Sequence, residues 1–251
     1  MDESNIIKAE NDKRVNFNFL INNKINTFSA IPEDNMDKVI IYCHGLGSNK
    51  TWATRFYDKL LDNNIGIISS DFPGHGNDLM DFSSFNLSLC IKYLDEIIEY
   101  TKNKYKVPIY LFGCSFGGFV ILNKLMQNDI NIERTMLLCP AINFSQIIDQ
   151  KLGISLDYFK NNTSVFLYSN IKIYKNAYIE FKEGEAKIKK SKFHNLSIIH
   201  GTADKIVPYE KIKDFCNENS IKLVTIKDGG HELYNHDDKI IDFLLESINS
   251  N

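Results

Sequence analysis

Ser115 stands in Gly113-Cys114-Ser115-Phe116-Gly117, a G-x-S-x-G pattern between an apolar run, residues 107–112, and a helical apolar pattern at Phe119, Val120, Leu122, Leu125 and Met126. That context predicts a strand–turn–helix elbow with Ser115 as its nucleophile. A tight turn lifts the hydroxyl clear of the sheet, and Gly113 and Gly117 supply the small neighbours that a strained serine requires. A serine hydroxyl is too weakly acidic to attack a carbonyl unaided. It needs an imidazole to take its proton, and the imidazole needs a carboxylate to fix its tautomer.

The histidines that follow Ser115 are His194, His200, His231 and His236. His231 lies in Asp228-Gly229-Gly230-His231-Glu232, a glycine-rich loop between a strand at 221–226 and the final helix, from which a base can reach the elbow. His200 closes a strand and precedes glycine, which suits packing or a bond to backbone. His194 precedes its strand, at the wrong end of the sheet, and His236 stands beside Asp237-Asp238 at a helix start. The carboxylate is expected from Asp204, between the buried strand at 195–200 and a helix begun by Pro208. A turn or cap role competes for Asp204. Asp228 competes as the acid, although its nearness to His231 suits loop shaping. The oxyanion needs two donors: the backbone N–H of Phe116, at a helix N-terminus, and that of Leu46 in His44-Gly45-Leu46-Gly47. His44 itself reads as a brace for this loop. Asp71-Phe72-Pro73-Gly74-His75-Gly76 reads as a rigid turn.

These residues need a frame that brings them to one edge. Residues 15–20 and 24–31 read as a hairpin around Asn22-Asn23. Strands follow at 39–43, 65–71, 107–112, 135–140, 195–200 and 221–226. Between them lie helical patterns at Ala53 to Leu61, Leu87 to Ile98, the elbow helix, 208–219 and Ile240 to Ile248. Such alternation predicts a mostly parallel α/β sheet with helices on both faces and the hairpin at one edge. Residues 141–193 interrupt it. They are rich in aromatics (Phe144, Tyr158, Phe159, Phe166, Tyr168, Tyr174, Tyr178, Phe181, Phe193) and read as an insert with short elements of its own.

The chain has 251 residues, 43% hydrophobic and 24% charged, with a net charge of −3. This fits one α/β domain with an insert and implies no nucleic-acid partner. No apolar run approaches a membrane span, and the polar start, Met1 to Asn5, lacks the marks of a signal peptide. The five cysteines read as reduced buried thiols of a cytoplasmic protein. No metal-ligand spacing is present, and neither metal nor cofactor is expected.

Taken together, His44–Gly47, Asp71–Gly76, Gly113–Gly118, Gly201–Pro208 and Gly230-His231 resemble the α/β-hydrolase superfamily over nearly the whole chain. Within it the chain is most similar to small bacterial carboxylesterases of the cinnamoyl/feruloyl-esterase type, and also to monoacylglycerol lipases and the serine aminopeptidase group. The resemblance implies an eight-stranded sheet and a triad in the order Ser115, Asp204, His231. It also implies a core of residues 1–140 and 194–251 under a lid of residues 141–193. The activity implied is hydrolysis of a small-molecule carboxylic ester through an acyl-enzyme, on small or aromatic acyl groups. The same triad would serve a monoacylglycerol or lysophospholipid lipase, a thioesterase or a peptidase, and the fold also includes non-catalytic ligand-binding members. A homodimer is compatible with this reading. Close relatives often carry histidine before the nucleophile, where this chain has Cys114. That thiol is the lesser nucleophile candidate, because the elbow presents Ser115 and no second base is evident.

Overall fold

The computed structural model describes residues 3–127, 131–167 and 171–250; Met1, Asp2 and Tyr168, which enter the sequence reading, lie outside them. A short helix, α1 (Glu3–Glu10), precedes the hairpin of β1 (Val15–Ile21) and β2 (Ile25–Ala30). Next come β3 (Lys38–Cys43), a 3₁₀ turn (Lys50–Arg55), α2 (Tyr57–Leu61), β4 (Ile65–Ser70), α3 (Leu87–Tyr105), β5 (Ile109–Cys114), α4 (Phe116–Leu125) and β6 (Arg134–Leu138). The segment that breaks the alternation folds as α5 (Phe144–Leu152), a 3₁₀ turn (Leu156–Lys160), a small hairpin of β7 (Ser164–Phe166) and β8 (Lys172–Tyr174), and α6 (Lys175–Ile188). The alternation then resumes with β9 (Leu196–Gly201), α7 (Tyr209–Asn219), β10 (Lys222–Ile226) and α8 (Asp237–Asn249).

Eight strands form one sheet in the order β1-β2-β4-β3-β5-β6-β9-β10. The β1–β2 and β2–β4 pairs are antiparallel and the rest are parallel. The hairpin is therefore at one edge, as its alternating pattern predicts: β1 shows water every second residue, whereas β3 to β6 are buried almost throughout. Strand periodicity divides the core in two. From β3, Val39, Ile41 and Cys43 enter the layer under α3 to α7, while Ile40 and Tyr42 enter the layer shared with α1, α2 and α8. The N-terminal helix had no signal in the sequence reading, because its Ala9 is the one side chain it contributes to the buried core among the described residues.

Phe144, Phe159, Tyr178, Phe181 and Phe193 of the insert are buried in the core, whereas Phe166 is exposed. Phe144 and Phe181 stack with each other at 5.0 Å and with Phe116 at 4.7 and 5.7 Å, and Phe159 lies 4.7 Å from Tyr178. They fasten the insert to α4. No helix among the described residues is long and apolar enough to cross a membrane.

Helix α4 lies unusually close to the strands it follows. A Cβ on Gly117 would stand 2.1 Å from the Cys43 carbonyl oxygen, and one on Gly113 would stand 2.8 Å from the Gly118 nitrogen. Both positions oppose backbone, which has little freedom to retreat. Gly230, by contrast, faces open space. Gly117→Ala is therefore expected to destabilise the fold by about 3 kcal/mol or more, while Gly230→Ala should stay within about 0.5 kcal/mol of wild type. Urea unfolding of the two variants checks the contrast.

Candidate active site

Strands β5, β6, β9 and β10 are consecutive and parallel, so the loops that leave their C-terminal ends meet at one edge of the sheet. Ser115 follows β5, Asp204 follows β9 and His231 follows β10. Ser115 takes φ 50 and ψ −112, a left-handed conformation for a residue with a side chain. Its backbone is fixed from both sides. The N–H donates to the Leu138 carbonyl at 3.0 Å, and its carbonyl accepts from Ala141 N at 3.0 Å and Phe119 N at 3.2 Å.

The Ser115 hydroxyl donates to His231 Nε2 at 2.8 Å, and His231 Nδ1–H donates to Asp204 Oδ2 at 2.7 Å. Both histidine bonds fit one neutral tautomer, with hydrogen on Nδ1 and a free pair on Nε2. Asp204 is buried. Its Oδ1 accepts from the N–H groups of Ile206 and Val207 at 2.8 and 2.9 Å, and its Oδ2 lies 3.3 Å from His200 Nε2. Burial alone would raise its pKa, but the hydrogen bonds from His200 and His231, with the N–H of Val207, outweigh it. The carboxyl is held well below the usual aspartate range.

The two loops are stapled together. Ala203 N donates to the Gly229 carbonyl at 2.9 Å and Thr202 N to the Ile226 carbonyl at 3.0 Å. Thr202 Oγ1 accepts from Asp228 N at 2.8 Å. Asp228, the rival acid, is exposed and takes φ 57 in this turn. His194 is exposed and His236 precedes α8, so neither joins Ser115. His200 is fully buried, and its Nε2–H donates to the Val207 carbonyl at 3.0 Å as well as facing Asp204. The backbone bond was anticipated for His200; its place behind the acid was not.

The loop after β3 lies against the serine, since a Cβ on Gly45 would come within 3.5 Å of Ser115 Cβ. The N–H groups of Leu46 in this loop and of Phe116 at the start of α4 donate to no other group among the described residues. The loop is braced by His44, whose Nδ1–H donates to the Gly45 carbonyl at 2.7 Å and whose Nε2 accepts from Phe72 N at 3.0 Å. Burial, together with neighbouring His75, pushes the His44 pKa down to about 3, so its ring is neutral. Asp71 is more than a turn residue. It forms a buried ion pair with Lys50 Nζ at 2.8 Å, and also accepts from the N–H groups of Lys50 and Asn77 at 2.8 and 2.9 Å. It thereby ties the loop after β3 to the loop after β4. Lys50 carried no signal in the sequence, because the pair forms only when two strands lie side by side.

Cys114 points into the core layer of Tyr42 and Phe112. Burial, with the Glu232 charge nearby, raises its thiol pKa strongly, which leaves it a poor nucleophile. The five cysteines are all free and buried. Cys139, His200 and Asp204 bring three ligand-type atoms within 4.8 Å of one another. Hydrogen bonds already engage the carboxylate and the imidazole Nε2 there, so the donor set is that of a hydrogen-bond network around the acid rather than a metal cage.

A family model described as "Serine aminopeptidase, S33" matches residues 34–169. A Mycoplasma genitalium protein carried under the name esterase/lipase 2 is 24% identical over 146 residues, 57% of this chain and 53% of that protein. The match thus spans about half the length of that relative. Among solved structures, Est1E from Butyrivibrio proteoclasticus with ferulic acid bound superposes with a TM-score of 0.77 at 22% identity, over 92% of this chain and 98% of that one. A monoacylglycerol lipase from Paleococcus ferrophilus gives 0.68 at 17% identity, over 89% and 99%. The structural likenesses show a shared fold across almost the full length.

The depressed pKa of Asp204 has a consequence for stability. A carboxyl with a lower pKa in the folded than in the unfolded chain stabilises the fold fully above the unfolded value. That contribution is lost as pH falls toward the folded value. The stability difference between wild type and Asp204→Asn is therefore expected to hold at neutral pH and to shrink as pH drops below the ordinary aspartate value of 3.8. Urea midpoints of both proteins across an acid pH series measure it.

Proposed function

The chain belongs to the serine aminopeptidase S33 family within the α/β-hydrolase superfamily, and from that premise we propose that it is a serine hydrolase cleaving carboxylic esters by way of an acyl-enzyme. The observation that carries the proposal is the unbroken line of hydrogen bonds from Ser115 Oγ through His231 to Asp204, 2.8 and 2.7 Å long.

In this reaction Ser115 Oγ attacks the ester carbonyl as His231 Nε2 takes its proton. Asp204 holds the imidazole in the required tautomer and stabilises the imidazolium that forms. The carbonyl oxygen becomes an oxyanion and is met by the N–H groups of Leu46 and Phe116, the latter at the positive end of α4. His231 then gives its proton to the departing alcohol, leaving Ser115 acylated. Water enters, His231 takes a proton from it, and the resulting attack releases the acid and restores the serine. The braces seen around the site serve this scheme, since His44 and the Lys50–Asp71 pair keep the Leu46 loop in register with the elbow.

Residues 141–193 act as the lid over a core of residues 1–140 and 194–251. Ile171, at the end of the β7–β8 hairpin, supports this. Its Cδ1 lies 3.0 Å from where a Cβ on Gly47 would stand, beside Leu46. Small or aromatic acyl groups are the preferred substrates in this reading, on the likeness to the ferulic acid-bound Est1E fold. The family description favours a peptide amide as the second reading.

Wild type is expected to hydrolyse p-nitrophenyl esters and to be labelled by a fluorophosphonate at Ser115. Ser115→Ala should lose the label and about four orders of magnitude in kcat or more. Equal turnover by the two proteins would sink the proposal. A panel of phenolic esters, monoacylglycerols and aminoacyl amides then separates the substrate readings by kcat/KM.

A further inference from the structure

The loop that carries His231 is strained, and one side chain from elsewhere grips it. Between β10 and α8 the chain takes positive φ at Asp228, Glu232, Leu233 and Asn235, so two left-handed residues directly follow His231. Such a loop keeps its shape only where the surroundings over-determine it. Arg55, the last residue of the 3₁₀ turn, reaches it within the core layer that Trp52, Phe56 and Leu233 share. Its Nη1 donates to the Glu232 carbonyl at 3.2 Å and its Nη2 to the Leu233 carbonyl at 3.3 Å. Nε donates to Asp237 Oδ1 at 3.0 Å, and Nη2 joins the same oxygen. The guanidinium is packed among aromatic rings, 4.7 Å from Trp52, 5.3 Å from Phe56 and 5.5 Å from Tyr234, and its side chain is only 6% exposed.

The origin of Arg55 matters as much as its target. The turn Lys50–Arg55 is continuous with the loop that holds Leu46, and Lys50 at its start is the residue paired with Asp71. One short stretch of chain is thus anchored at one end beside the oxyanion donor and at the other end on the two carbonyls after the base. We infer that Arg55 is a positioning residue that sets His231 in register with the Leu46 loop, by fixing the backbone immediately beyond the imidazole. The inference rests on the serine-hydrolase reading for its kinetic consequence, but not for its structural one. A planar fork with several donors in fixed directions is required, which lysine cannot supply although it keeps the charge. Reacting groups displaced by about 1 Å lose on the order of 100-fold in rate. The loss falls on kcat, because the contacts of Arg55 are to the backbone beyond His231, to Asp237 and to aromatic rings rather than to Ser115.

The test compares Arg55→Lys and Asp237→Asn with wild type. Both are assayed for kcat and KM on a p-nitrophenyl ester, and their folding is followed by thermal melting. Proton NMR records the far-downfield resonance of the His231 Nδ1–H bonded to Asp204. Arg55→Lys is expected to lose about 30-fold or more in kcat with KM within about threefold, and its resonance should broaden or move. Asp237→Asn loosens the fork without disturbing the core and should lose about fivefold in kcat, again with KM unmoved. It carries the test if Arg55→Lys fails to fold. A purely structural Arg55 would lower the melting temperature yet leave kcat and the resonance unchanged well below it, and that result in either folded variant overturns the inference. If wild type neither turns over esters nor takes a fluorophosphonate, the functional reading fails, while the resonance still decides whether Arg55 sets the imidazole.

Discussion

The backbone of Ser115 is the constraint on which the rest depends. A side-chain-bearing residue at φ 50 and ψ −112 costs about 1–3 kcal/mol, and the molecule offsets that locally. Phe116, Phe119, Val120 and Leu122 of α4 are fully buried, each contributing about 1.5–3 kcal/mol. They can be buried there only because Gly113 and Gly117 let the helix approach β3 and β5 so closely. The strained turn, the glycines and the apolar helix form a single arrangement. Changing the turn to relax the serine would lift the helix off the sheet, at a far greater loss.

Charge is used around the site to fix positions rather than to add stability. Lys50–Asp71 and Arg55–Asp237 each place at least one partner out of water, where desolvation removes most of the attraction's benefit. What such pairs achieve is direction. Asp71 takes hydrogen bonds from the loop after β3 and from its own loop, and Arg55 reaches both the base loop and α8. The same holds for Asp204, which accepts from two N–H groups and faces two histidines. A carboxylate saturated in this way is fixed in orientation, and its bond to Nδ1 together with the Ser115 bond to Nε2 orients the imidazole.

These features also divide what the sequence discloses from what it hides. The strand–helix alternation was legible because burial on two faces imposes apolar runs and helical stripes that are written locally. The elbow, Asp204 and His231 were legible for a similar reason: each stands in a short loop whose glycine or proline shapes the turn. The supports were not. Arg55 meets its partners 177 to 182 residues further along the chain, and no local pattern records that meeting. His200 reads correctly as a strand end bonded to backbone, but its approach to Asp204 exists only once the loop folds back over Val207. Asp71 reads as a turn because its true partner, Lys50, is an ordinary lysine until the sheet forms. The residues of the Ser115–His231–Asp204 line leave local marks, whereas residues that hold them in place act across the fold.

The insert shows the same division in sharper form. Its aromatic residues read as part of an insert with short elements of its own, and Phe144 and Phe181 face α4 and stack on Phe116 and Phe119. They record how the insert is fastened, not what is cleaved. Toward the loop after β3 it sends Ile171, whose Cδ1 lies 3.0 Å from where a Cβ on Gly47, next to Leu46, would stand. Gly47 takes φ 76, so a side chain there would be strained and would press on the end of Ile171. In the proposed reaction, this contact is the point at which the β7–β8 hairpin bears on the loop that carries the Leu46 N–H.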